Sequence, residues 1–87
     1  MPLLVILNLS SNDASFPIEA LSEIDSALAG VGLKKQVRSV LVPGKQFEVT
    51  YDGPMIDKKR VEGIVAPLSE RRRLTFSVEV EESVHFP

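Results

Sequence analysis

The chain has 87 residues, no cysteine, no tryptophan, and a formal net charge of −2 from 10 Lys+Arg and 12 Asp+Glu. An apolar fraction of 44% with 25% charged residues describes one small globular domain over residues 1–87 and argues against disorder. The lack of cysteine excludes a disulfide framework and a zinc-cysteine module.

The longest unbroken apolar run, Leu3 to Leu7, is far shorter than the ~20 residues that span a bilayer. It also lacks the flanks of a secretory leader, so the expected location is cytoplasmic. Charge is spread unevenly. Residues 1–33 carry only acids, 34–73 carry all ten bases with five acids, and 74–87 carry only acids. Such asymmetry is compatible with complementary faces that self-associate.

Pro2 to Leu9 reads as a strand, apolar on both parities and therefore central in a sheet. A polar loop follows. Ser15 is the expected N-cap of a helix with Pro17 in its first turn. Ile18, Leu21, Ile24, Ala27 and Leu28 recur at helical spacing, and Gly30 and Gly32 supply the stop. Lys35 to Val42 is a second strand. Val42-Pro43-Gly44-Lys45 predicts a type II turn, because Pro presets φ and Gly accepts positive φ at the next position. Phe47, Val49 and Tyr51 alternate with polar residues in a third strand, paired to the second as a hairpin. Over 57–71, Val61, Ile64, Val65 and Leu68 form a helical stripe interrupted by Gly63 and Pro67, which predicts a helix kinked or broken near Ala66. Leu74 to Val80 closes the chain as a strand with Leu74, Phe76, Val78 and Val80 inward.

The order β-α-β-β-α-β is the α+β ferredoxin-like arrangement, a four-stranded antiparallel sheet with two helices on one face. The uncovered face is expected to hold Val40, Val42 and one parity of Leu3 to Leu7. An apolar patch there marks an interface.

The constellations that carry chemistry are thin. His85 is the only histidine, and no spacing supplies further ligands, so no metal is expected. The serines share that one histidine as a base, and no G-x-S-x-G segment exists. Phosphate-cradling glycine motifs are absent, and no cofactor is expected.

Three resemblances carry functional expectations. Leu4-Val5-Ile6-Leu7-Asn8-Leu9 looks like the first strand of RNA-recognition-motif domains, which stack bases on sheet aromatics. Val5 stands where the first-strand aromatic would be, and a sequence pI near 5.3 opposes nucleic acid as a partner. The clusters Lys58-Lys59-Arg60 and Arg71-Arg72-Arg73 could contact phosphates, but bases at helix ends also oppose the macrodipole. The first strand, the polar loop Asn8 to Phe16, the helix and its glycine stop are similar to the start of amino-acid-binding ACT domains. That resemblance implies a regulatory module that dimerises and binds ligand at the loop after the first strand. The glycine common at the start of that family's first helix is replaced by Phe16-Pro17-Ile18. Pro2 followed by an apolar strand resembles tautomerases, which use a proline amine as general base.

The sequence therefore predicts a non-catalytic binding or assembly module, a homodimer with a small-molecule ligand between protomers. Its candidate ligand or interface residues are Asn8, Val40, Val42, Arg71, Arg72 and Arg73. An RNA-binding domain and a Pro2 tautomerase are the alternatives.

Overall fold

A computed structural model describes residues 3–54 and 56–82. The elements are β1 (Leu3–Ser11), α1 (Glu19–Ala29), β2 (Lys34–Val42), β3 (Gln46–Gly53), α2 (Lys58–Arg71) and β4 (Leu74–Glu82). The strands form one antiparallel sheet in the order β2-β3-β1-β4, the ferredoxin-like topology.

The core lies on one face of this sheet, and register builds it in rows. Val5 sits between Tyr51 and Val80, Leu7 between Val49 and Val78, and Leu9 between Phe47 and Phe76. Ala20, Leu21, Ile24 and Leu28 of α1, with Val61 and Val65 of α2, cover these rows and are fully buried. Phe16 closes one end, edge-on to Phe47 with ring centroids 4.8 Å apart. Edge-to-face aromatic pairs of this kind add stability beyond their buried area.

The turns follow their local chemistry. Gly44 has φ +68 and the Lys45 amide donates to the Val42 carbonyl at 3.0 Å, giving the expected type II turn. Helix α1 ends where Gly32 takes φ +90 and the Leu33 amide reaches back to the Leu28 carbonyl at 3.0 Å, as in a Schellman cap. Gly53 is required by close approach, because a Cβ there would lie 2.5 Å from the Gly32 carbonyl oxygen.

Several expectations are corrected. Strand β1 continues through Ser11, so the loop expected from Asn8 begins only after Ser11. Ser15 does not cap α1. Its carbonyl instead accepts the Ser11 hydroxyl at 3.0 Å, and α1 opens on a tight turn in which the Ala20 amide donates to the Pro17 carbonyl. Ile18, read as core, is 57% exposed, and Ala20 takes the buried place. Helix α2 runs unbroken through Pro67. Pro67 and Gly63 both lie on its exposed side, so the carbonyl of residue 63, which loses its amide donor, faces solvent.

The uncovered sheet face also differs from expectation. Leu4 and Ile6 lie there half-buried, but their cross-strand neighbours are Thr50, Asp52, Glu79 and Glu81, with Asn8, Glu48 and Ser77 in the next row. The face is polar and acidic. Alternation along β1 is apolar on both parities, yet the strands beside it carry polar residues outward. No helix among the described residues is long and apolar enough to cross a membrane.

Candidate functional site

The six candidate residues do not converge. Asn8 lies mid-strand on the open face. Val40 and Val42, expected side by side on that face, are separated by a bulge. Register puts Val40 across from Phe47 on the helix side and Val42 across from Gln46 on the open side. Both are exposed on β2, which is an edge strand. Arg71, Arg72 and Arg73 close α2, which packs on β4 at the other edge of the sheet.

Among the described residues, most of the large hydrophobic side chains that are exposed lie on β2. The large exposed hydrophobics are Val37, Val40, Leu41 and Val42 of β2, together with Ile18. The amide of Phe16 donates to the Gly44 carbonyl at 2.9 Å, which ties the approach to α1 against the β2–β3 turn. That tie brings Ile18 to the same end of the molecule as Leu41 and Val42.

Behind this edge, Asp25 of α1 organises a polar cluster. The Tyr51 hydroxyl donates to Asp25 Oδ1 at 2.5 Å, and Arg38 contacts Oδ2 at 2.9 Å with Lys35 at 3.7 Å. Burial, reinforced by the bond to Asp25, pushes the Tyr51 phenol well above its ordinary pKa of 10.0. The cluster pins the edge strand to α1.

The arginines at the close of α2 divide. Arg72 Nε donates to Glu23 Oε1 at 2.9 Å and joins the two helices. That hydrogen bond holds the Glu23 carboxyl below the usual 4.5. Arg71 is exposed in the last turn, where a cation opposes the helix macrodipole. The same purpose does not extend to Lys58, Lys59 and Arg60. They stand in the first turn, at the positive end of the dipole, with no acid among them. Arg73 adopts φ +57, a left-handed conformation uncommon for a residue with a Cβ, and its Nε lies 3.4 Å from Asp13 Oδ1.

Sequence reading missed a cleft of about 460 Å³ between α2 and β4. Ala66, Ser69 and Glu70 face it from one side of α2, three and four residues apart from Ala66, and Arg73 faces it from the turn that follows. Leu74 and Phe76 of β4 and Asn12 of the β1–α1 loop complete it. Ser69 is 1% exposed, and its Oγ has no hydrogen-bond partner. Asn12 Oδ1 accepts the Thr75 hydroxyl at 2.8 Å. The available signal was Ser69, a hydroxyl on the buried side of a helical stripe.

The other chemistries are placed as follows. Phe47 and Tyr51 point into the core, so the described open face offers no aromatic platform for bases. No group of metal-ligating side chains occurs among the described residues. Pro2 and His85 lie outside the described residues.

No protein-family model and no curated protein matches the sequence. Among solved structures, the fold is similar to a formyltetrahydrofolate deformylase from Pseudomonas syringae, with a TM-score of 0.62 and 10% identity over 92% of this chain and 28% of that one. A formyltetrahydrofolate deformylase from Pseudomonas putida matches with a TM-score of 0.50 and 10% identity, over 90% of this chain and 28% of that one. The chain thus spans little more than a quarter of either enzyme's length, and at this identity the likeness is one of fold.

Proposed function

We propose that this chain is a non-catalytic binding module that self-associates through the free edge of β2. The observation that carries this reading is the concentration of exposed apolar side chains on that strand. Val37, Val40, Leu41 and Val42 are each at least 44% exposed. An exposed edge strand presents unpaired backbone groups that template pairing with another chain. A second copy suits it, because Lys34, Lys35 and Arg38 lie toward the start of β2 while Val40, Leu41 and Val42 are contiguous at its end. Antiparallel pairing about a two-fold axis at Leu41 brings the apolar ends of the two strands together and leaves the cations of the two copies at opposite ends of the seam. The polar open face, which carries Glu48, Asp52, Glu79 and Glu81, disfavours the face-to-face dimer that the sequence suggested. A regulatory ligand held between protomers would lie beside Val40 and Val42, away from Arg71–Arg73.

Light scattering across a concentration series tests this. The wild-type chain is expected to reach twice the monomer mass, and Leu41→Lys to remain monomeric with unchanged circular dichroism. A wild-type monomer at every concentration, or a Leu41→Lys dimer, would sink the reading.

A further inference from the structure

The cleft between α2 and β4 lies at the edge of the sheet away from β2, so what it does is separate from self-association. Its charges are not balanced. Arg73 is already paired with Asp13, and Glu70 has no ion-pair partner among the described residues. Ser69 and Glu70 stand in the last turn of α2, where the helix macrodipole presents its negative end. The floor is apolar, formed by Ala66, Leu74 and Phe76.

The polar lining is rich in acceptors. Glu70 offers a carboxylate, Asn12 Oδ1 has a lone pair beyond the one used by Thr75, and Ser69 Oγ is unpartnered. A primary ammonium has three N–H donors and an attached alkyl body. A buried hydroxyl without a partner is uncommon in folded proteins and calls for a reason. The left-handed backbone of Arg73 is a second departure from the relaxed chain at the same place. Sparsely populated conformations cluster at ligand sites, and glycine would serve this turn with less strain.

We propose that this cleft is a binding site for a small organic ammonium with a short apolar body. The ammonium is held by Glu70, Ser69 and Asn12, and the body lies against Leu74 and Phe76. Arg73, whose Nε lies 3.4 Å from Asp13 Oδ1, walls the site and does not receive a carboxylate.

The test is an amide NMR titration of the full chain with isoamylammonium chloride. Isocaproate, which has the same alkyl chain with a carboxylate head, and leucine, which carries both charges, run in parallel. Saturable shifts at Asn12, Ser69, Glu70 and Phe76 are expected with the amine and none with isocaproate. Leucine is expected to bind more weakly than the amine, since its carboxylate meets the negative helix end. Glu70→Gln, at an exposed position, should weaken the amine about tenfold or more, as loss of a charged hydrogen bond does. Ser69→Ala should also weaken it while raising the Tm of the free chain, because an unpaired buried hydroxyl is removed. Three results would each overturn the proposal. They are the absence of saturable shifts with the amine, isocaproate or leucine binding as well as the amine, and Glu70→Gln leaving affinity unchanged in a folded chain.

Discussion

Tyr51 is 1% exposed, and its hydroxyl is satisfied by Asp25 alone. The two ends of this bond are not equivalent. Asp25→Ala would strand the buried phenol and is expected to destabilise the fold by about 1–3 kcal/mol. Tyr51→Phe leaves Asp25 with Arg38 and should cost less, about 1 kcal/mol. Chemical denaturation of the two variants checks this order. The pH dependence follows from the same bond. Because burial raises the folded phenol's pKa, the folded state keeps its proton while the unfolded chain ionises above 10.0. The unfolded state then binds fewer protons, and stability declines as pH rises past that value. Tyr51→Phe should lack this decline. Glu23 behaves in the opposite sense. Its carboxyl is held down by Arg72, so its contribution is present above 4.5 and fades as pH falls below that value. None of these pairings was legible in the sequence, because Asp25, Arg38 and Tyr51 come from three elements whose register must be known first.

Among the elements, α2 departs furthest from its sequence expectation. Proline inside a helix is disfavoured by about 3 kcal/mol relative to alanine, which argued for a break near Ala66. The continuous helix survives because Val61 and Val65 are fully buried and Ile64 and Leu68 pack against the core, which fixes both halves on one axis. Local propensity loses to tertiary burial here. Pro67→Ala should therefore raise stability by about 1–3 kcal/mol, since it restores a backbone bond on an exposed face. Gly63→Ala should add about 1 kcal/mol, because a Cβ there meets nothing within 4 Å. Thermal melts of the single and double variants check both. Where sequence carried a mechanism, it was read well. The type II turn at Pro43-Gly44 and the α1 stop at Gly32 needed only the backbone demands of those residues. Strand β2 was found, but its two bulges, between Lys35 and Val37 and between Val40 and Val42, leave no mark on periodicity. The face of Val40 was misassigned for that reason.

At the scale of the whole molecule, the sheet separates its two candidate surfaces. Strand β2 ends one side with exposed apolar residues, and β4 ends the other beside the cleft. Periodicity and turn signals indicated an α+β domain, and the order of charges indicated some asymmetry. The pattern could not say that the acids of β3 and β4 share one open face, since that depends on the register of Glu48 and Asp52 on one side of β1 and of Glu79 and Glu81 on the other. The candidate site was less legible than the fold. A cleft is made by what three elements leave unfilled, and Asn12 is far in the chain from Ser69 and Phe76.

The terminal position of β4 has a consequence for how two copies would communicate. Joining β2 to β2 turns four strands into a continuous sheet of eight, with a cleft at each extremity. At about 4.8 Å per strand, the two clefts stand roughly 34 Å apart. Neither cleft borders the seam, so filling one changes no contact at the other. A dimer built this way would titrate its ligand with a Hill coefficient of about 1, each half answering for itself.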